Sequence, residues 1–130
     1  WEEIRLAALL HKVAAGKPTT LPAPQALAMA TRIGAAAIRM EGQIGQLKPG
    51  MQADLIQVDI SKTRHQPLYD INSHLVYMLD ATDVVTTVVA GQVLMENRQV
   101  LTIDESKLRQ SVAGAAARIR AALAEQAARQ

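Results

Sequence analysis

The side chains best suited to metal or acid–base chemistry in this 130-residue chain are three histidines, His11, His65 and His74. None stands in an H-x-H or H-E-x-x-H arrangement, the spacings that direct two imidazoles at one ion. His11 lies in a mostly apolar helical stretch, where a lone histidine is more often a hydrogen-bonded interior or boundary residue than a ligand. His65 and His74 fall in a polar, irregular segment and are interpreted as surface or loop-pinning groups. The histidines therefore predict no metal site within the chain.

Two acidic residues flank a strand-like run, but their spacing does not suit a cooperating pair of carboxylates. Asp54 and Asp59 are five residues apart, which places them on opposite faces of a strand. Asp54 is expected to bond backbone groups near the adjoining turn. A phosphate-binding loop runs from a strand into a helix, whereas Gly42, Gly45 and Gly50 lead into a strand and favour turns. From the residues alone, no catalytic, cofactor-binding or metal-binding residue is assigned.

The composition excludes several classes of protein. With 49% hydrophobic residues and 20% charged residues the chain is globular, and with 2% aromatic residues and no Phe its core must be aliphatic. A formal charge of +2 does not predict nucleic-acid binding, and no apolar run approaches the ~18 residues of a membrane span. The absence of cysteine fits a reducing compartment, so a cytoplasmic protein is predicted. Since residue 1 is not Met, we expect the chain to be part of a longer polypeptide.

Helical signals dominate the first forty residues. The stretch EEIRLAALLHKVAAG predicts a helix that ends at Gly16 and, being apolar nearly all round, is expected to be buried. Pro24 is well placed to begin a second helix, and Gly34 is expected to divide that helix into two short ones.

Strand signals replace them after Gly42. Pro49 and Gly50 predict a tight turn, with φ > 0 at Gly50, in a hairpin that spans Gly42 to Asp59. Valine-rich segments from Val84 to Ile103, with turns at Gly91 and Asn97, predict two antiparallel hairpin arms.

A last helix is predicted after Asp104, which can cap it. Its apolar residues recur at steps of three and four and are expected to face protein, while Arg109 and Arg120 face solvent. The apolar series is Leu108, Val112, Ala115, Ile119, Leu123 and Ala127.

Four segments together carry a resemblance to a known family: EEIRLAALLHK, ALAMATRIGAAAI, IGQLKPGMQADLIQVD and DVVTTVVAGQVLMENR. In this order and spacing they resemble the C-terminal end of amidohydrolase-superfamily enzymes. The branch they most resemble is that of the methylthioadenosine/S-adenosylhomocysteine deaminases and the related triazine hydrolases and chlorohydrolases. The third segment is similar to the family pattern G-S-L-E-P-G-K-x-A-D-L and departs from it at Gln46, Lys48 and Met51, around a turn.

The resemblance implies an α/β architecture in three parts. Residues 1–40 would be the last helices of a metal-dependent (β/α)₈ barrel, and residues 41–103 the C-terminal half of a composite β-sandwich. Residues 104–130 would form a terminal amphipathic helix. The turn at Pro49 and Gly50 would then have a structural task.

The chemistry that the resemblance implies is hydrolysis of an amine from an adenosine-type small molecule by water bound to zinc or another divalent metal. The family's metal ligands would all precede Trp1, so no catalytic or metal-binding residue is transferred to this chain. The implied partner is the N-terminal remainder of the same enzyme, with no nucleic acid and no membrane. The metal, the exact substrate and assembly into a homo-oligomer are left open.

A competing hypothesis is a free-standing, non-enzymatic β-plus-helix module that binds a partner through its alanine-rich helices. Both hypotheses predict the same local structure. They differ in whether more protein precedes Trp1: the enzyme needs roughly 300 additional residues, by the size of such barrels with their insertions, whereas a module should begin near here. The apolar first helix favours the enzyme, since 130 residues offer little interior to surround it.

Overall fold

A computed structural model describes residues 1–128. Within them, three helices precede a small antiparallel sheet, a fourth lies between its first and second strands, and one long helix follows it. The helices are α1 (Glu2–Ala15), α2 (Ala23–Ala28), α3 (Gly34–Ala37), α4 (Ile71–Tyr77) and α5 (Glu105–Ala128). The strands are β1 (Leu55–Val58), β2 (Val84–Val89), β3 (Gln92–Glu96) and β4 (Gln99–Val100). The chain separates into two compact units, Trp1–Gln99 and a second one that begins at Val100. The predicted division at residues 40 and 103 stays a prediction.

Helix α1 begins and ends as its sequence predicts. Glu2 and Glu3 place negative charge in the first turn, where the helix dipole favours it. Gly16 adopts the left-handed conformation (φ 62°), and Lys17 N donates to Lys12 O at 3.1 Å, which completes a Schellman cap.

The expectation that α1 is buried is wrong for the described residues. Ala8 is fully buried, whereas the exposed fractions of Leu6, Leu9, Leu10 and Val13 run from 47% to 78%. The physical reason is that this chain packs against one side of α1, through a core cluster of small aliphatic residues. That cluster consists of Ala8, Leu21, Ala23, Ala26 and Val76.

Gly34 does not divide the second helical region. Met29–Ile33 form a π-helical turn that joins α2 to α3 without a break, and Gly34 keeps a helical φ of −59°. A Cβ at Gly34 would lie 2.8 Å from Met29 O, so the glycine accommodates the wide turn.

The hairpin predicted for Gly42 to Asp59 is also wrong, although its turn is correct. Gly50 has a φ of 85°, and Met51 N donates to Lys48 O at 3.2 Å. No strand precedes this turn in the described chain; Gln52 N donates to Gln43 O, and β1 pairs with β2 instead. Pairing with a six-residue strand supplies more ladder hydrogen bonds than the turn-rich segment before Pro49 can.

The two predicted hairpin arms between residues 84 and 103 are confirmed. The sheet has the order β1-β2-β3-β4, with β2 antiparallel to both β1 and β3. Ala90 and Gly91 (φ 49° and 79°) form one two-residue turn, and Asn97 and Arg98 (φ 49° and 64°) form the other. Positive φ at both central residues is the mark of the type I′ turns that match strand twist.

Helix α5 is capped as predicted, because Lys107 N donates to Asp104 Oδ1 at 3.0 Å. Residues 129–130, at the end of the predicted helix, lie outside the described residues. The prediction that the apolar series faces protein is not met within residues 1–128: Leu108, Val112, Ile119 and Leu123 are 49–60% exposed.

Candidate functional site

The largest concentration of buried polar side chains surrounds Asp83. A short 3₁₀ turn, Ala81–Asp83, precedes β2 and places this carboxylate in the interior, where its side chain has no exposed surface. A second 3₁₀ turn, Thr63–His65, and helix α4 bring their side chains to it. We call Lys62, Arg64, His65, His74 and Asp83 the Asp83 cluster.

Three nitrogen donors converge on one oxygen of the Asp83 cluster. Lys62 Nζ lies 2.9 Å from Asp83 Oδ1, His65 Nε2 lies 3.1 Å from it, and Arg64 Nη2 also contacts it. Arg64 Nη1 reaches Asp80 Oδ2 at 2.8 Å. The opposite carboxylate oxygen, Asp83 Oδ2, accepts the backbone N–H of Asp80 at 3.2 Å. This carboxylate is therefore satisfied on both oxygens.

The same contacts keep the carboxyls ionised. Burial by itself raises the pKa of Asp83, but hydrogen bonds from Lys62, the Asp80 backbone, His65 and Arg64 outweigh it and hold the pKa well below its usual range. Hydrogen bonds from Arg64 and Thr82 likewise lower the pKa of Asp80. Two carboxylates thus balance the two cations, Lys62 and Arg64, in this neighbourhood.

The two histidines extend the cluster inward. His65 is 1% exposed and His74 is 7% exposed, and His74 Nε2 lies 3.3 Å from His65 Nδ1. Because His65 Nε2 donates to a carboxylate, a neutral His65 has its lone pair on Nδ1 and accepts a hydrogen bond from His74 Nε2–H. The order is therefore His74 to His65 to Asp83. The surface interpretation of both histidines is wrong; they pin the 62–83 segment from the inside.

His11 does not join them. It is exposed on α1, where its Nδ1 lies 2.8 Å from Ala7 O one turn back. The hydrogen bond expected of it is present, but the interior or boundary position is wrong, because Ala8 and its neighbours take the core-facing side of α1.

The residues of this chain do not fit a catalytic metal. Across residues 1–128, no group of three or more His, Asp or Glu side chains is arranged to hold an ion. The His65 ring has both nitrogens engaged by Asp83 and His74. A catalytic zinc takes three protein ligands and one open position, so such a metal would need ligands from outside the chain.

The strand-flanking acids bond backbone and hydroxyl groups. Asp54 Oδ1 accepts the N–H of Ala90 at 2.6 Å, in the turn between β2 and β3 rather than in the turn beside Asp54 itself. Asp59 Oδ1 accepts the hydroxyl of Ser61 at 2.6 Å and its backbone N–H at 2.9 Å. These bonds from Ser61 lower the pKa of Asp59 to about 2. Both acids tie loops to the sheet.

Of the three glycines that favoured turns, Gly42, Gly45 and Gly50, two have left-handed backbones and one has a close neighbour. Gly45 (φ 88°) leaves 2.9 Å between a would-be Cβ and the Cβ of Ala35, whereas Gly50 (φ 85°) has open space. The turns predicted for this segment are therefore confirmed, and Gly45 also lets the chain approach α3.

Sequence reasoning missed Asp83. A signal was present in DATD before the valine run, since an acid at each end of a four-residue step can form reciprocal caps. Asp80 and Asp83 form such a capping box here. The burial of Asp83 depended on partners 18 to 21 residues away in the chain, which no local pattern indicates.

Comparison with known proteins places the chain among deaminases and hydrolases. It is 53% identical over 108 residues to a 5′-deoxyadenosine deaminase of Methanosarcina acetivorans, a match that covers 83% of this chain and 24% of that protein. It is 50% identical over 107 residues to a 5-methylthioadenosine/S-adenosylhomocysteine deaminase of Pelotomaculum thermopropionicum, covering 82% and 24%. The chain thus spans about a quarter of the length of these curated relatives.

Solved structures of a deaminase and a hydrolase are also similar to the chain. An adenosine deaminase of Xanthomonas campestris with bound zinc superimposes with a TM-score of 0.85 at 34% identity, covering 92% of this chain and 27% of that one. A zinc-complexed atrazine chlorohydrolase of Arthrobacter aurescens gives a TM-score of 0.75 at 27% identity, covering 86% and 25%. The sequence model described as the amidohydrolase family matches residues 1–94, and the chain belongs to that family.

Proposed function

We propose that the chain is the C-terminal part of a metal-dependent amidohydrolase that deaminates adenosine-type nucleosides. In that reaction water replaces the exocyclic amine of the purine, and ammonia leaves. The observation that carries the proposal is the identity of 50–53% to two adenosine-type deaminases across four fifths of the chain. The Xanthomonas campestris deaminase supports the same substrate class.

Zinc or another divalent metal is the proposed cofactor, on the basis of the zinc bound in two similar structures. Its ligands would belong to the rest of the polypeptide, because the residues described here do not form a metal site. The proposed task of this chain is to build and close the scaffold around that site.

Exposed apolar residues of α1 support packing against a barrel. The apolar residues Leu6, Leu9, Leu10 and Val13 are 47–78% exposed. Burying those four side chains against a barrel would remove their apolar surface from water.

The sheet offers a similar argument for a composite sandwich. Strand β1 is an edge strand, with β2 on one side and no paired strand on the other within residues 1–128. An apolar groove of about 430 Å³ runs beside it, lined by Trp1, Leu27, Leu55 and Leu75 among others. A strand from the N-terminal part of the enzyme would pair with this edge and fill the groove.

No helix within residues 1–128 combines the length and apolarity that crossing a membrane requires. The lack of cysteine in the chain supports a cytoplasmic location as part of the proposal. The partners proposed are the N-terminal remainder of the enzyme and its small-molecule substrate.

The test compares the full-length polypeptide with residues 1–130 expressed alone. Metal content is measured after dialysis, and ammonia release is measured from 5′-deoxyadenosine, methylthioadenosine and S-adenosylhomocysteine. The full-length polypeptide is expected to retain zinc and turn over at least one of these substrates, whereas the short chain should do neither and should aggregate through its exposed apolar faces.

Metal removal by a chelator followed by return of zinc serves as the control, and activity should disappear and recover. Stoichiometric zinc or turnover in the short chain would contradict the assignment of the metal ligands to the rest of the polypeptide. A full-length sequence that lacks an H-x-H pair would contradict the deaminase and favour the free-standing module.

A further inference from the structure

A second groove opens beside α4 and has no task in the proposed reaction. Its volume is about 510 Å³, and much of its wall is carbon from Pro67, Tyr69, Tyr77 and Met78. Tyr69 is 91% exposed and Met78 is 50% exposed, so both stand where a ligand could reach them. Apolar and aromatic walls with a few polar groups are typical of small-molecule sites.

One of those polar groups is the free nitrogen of His74. This side chain is 93% buried and lines the groove, and its Nε2 is committed to His65. Since Nε2 carries the proton in the neutral ring, Nδ1 presents a lone pair. Among residues 1–128, Arg5 Nε is the one fully buried side-chain nitrogen or oxygen without a partner. His74 Nδ1 has no hydrogen-bond partner there either, so it keeps some accessible surface, and His74 is one of the residues that line the groove.

The charges around the groove disfavour an anionic ligand. Arg64 and Asp70 both line it, but Arg64 is already bonded to Asp80 and Asp83. Asp70 accepts the N–H of Ser73 at 2.7 Å, a bond that leaves its negative charge without a counter-ion among the described residues. The groove therefore suits a molecule without negative charge that brings a hydrogen-bond donor for His74 Nδ1.

We propose that this groove binds a flat heteroaromatic molecule without negative charge that donates an N–H to His74 Nδ1 and stacks on Tyr69. The hydrogen bonds from His74 to His65 and from His65 to Asp83 fix the His74 ring, so that its acceptor nitrogen, Nδ1, points outward. The proposal does not rest on the deaminase activity, because none of these residues takes part in it.

The test uses the full-length polypeptide labelled with ¹⁵N-histidine, titrated with benzimidazole and with 1-methylbenzimidazole. The first probe carries a ring N–H donor and the second has the same ring with a methyl group in place of that hydrogen. Neither carries the exocyclic amine that the proposed reaction removes. We expect benzimidazole to shift the His74 Nδ1 resonance and to bind roughly three- to ten-fold more tightly than 1-methylbenzimidazole, the effect of one neutral hydrogen bond.

Two variants of an exposed residue complete the design, since neither should disturb folding. Tyr69→Ala should weaken binding at least roughly five-fold by removing the stacking surface, whereas Tyr69→Phe should retain it. Equal affinity for the two probes, or unchanged binding by Tyr69→Ala, would overturn the proposal. So would a silent His74 resonance, or protection of Tyr69 from hydroxyl-radical labelling without ligand, which would mean that another part of the polypeptide covers the groove.

Discussion

At the scale of single residues, Asp83 is the side chain on which the most structure depends. Its carboxylate has no exposed surface and meets Lys62, Arg64 and His65, all from one preceding segment. The cations keep about two fifths of their own surface exposed, so the carboxylate is the buried partner of each pair. If a neutral group replaces this carboxylate, the three nitrogen donors no longer face a negative charge.

We therefore expect Asp83→Asn to lower the free energy of unfolding by about 1.5–3 kcal/mol at neutral pH, the range for hydrogen bonds to a charged group. The pKa of Asp83 is lowered in the folded state, so its stabilising effect is present above the ordinary value of 3.8 and is lost as pH falls below it. The gap between wild type and variant should hence shrink in acid. Urea unfolding from pH 7 to pH 3 checks this.

Glu125→Gln, in the exposed part of α5, is the matched control and should run parallel to wild type at every pH. A constant difference between Asp83→Asn and wild type across that pH range would show that the carboxylate's charge is not what stabilises the cluster.

Substitutions at Gly45 and Gly50 distinguish the stability cost of backbone strain from that of steric crowding, since both residues have a left-handed φ. Gly50→Ala should cost about 1 kcal/mol through strain alone, because nothing lies within 4 Å of the new Cβ. Gly45→Ala should cost about 1–3 kcal/mol more, since its Cβ would also meet Ala35 at 2.9 Å. Thermal unfolding of both variants measures the difference, and equal losses would mean that the chain near Ala35 relaxes freely.

At the scale of elements, the sequence predicted the helix ends and turns that local interactions determine. Gly16 and Asp104 bound α1 and α5 as expected, and the turns at Gly91 and Asn97 join the predicted strands. The pairing of strand β1, in contrast, was not predicted. The turn at Gly50 is present, but β1 pairs with a strand that begins 26 residues after it ends, a choice set by tertiary contacts. The Asp83 cluster was not predicted for the same reason, because tertiary contacts form it.

The β2–β3 turn yields a prediction of its own. Ala90 holds a φ of 49°, which glycine adopts without the steric cost that a Cβ imposes, and Asp54 Oδ1 secures its N–H. Ala90→Gly should raise stability by about 0.5–1 kcal/mol, because relief of strain outweighs the added chain entropy. Ala113→Gly, exposed in α5, should lower it by about 1 kcal/mol. A loss of stability in both variants would indicate that Ala90 is not strained.

At the scale of the whole molecule, α1 has two apolar sides that point in different directions. At 100° per residue, Ala8 faces the core of this chain, whereas Leu6 and Val13 lie roughly 140–160° around the helix from it. A helix with two apolar sides is one that packs between two layers. The described residues supply one of them, and the relatives are about four times as long as this chain.

Substitution on that second side tests whether the remaining polypeptide supplies the other layer. In the full-length polypeptide, Leu6→Ala should cost about 2–5 kcal/mol, the range for a leucine truncated in a closed core, although Leu6 is 49% exposed in this chain. His11→Ala, exposed on the same helix and roughly 140° around it from Leu6, should change stability by no more than about 0.5 kcal/mol. Chemical denaturation of both variants decides the question. Near-neutral Leu6→Ala would mean that this side of α1 stays in solvent, and packing of the helix against a barrel would then be untenable.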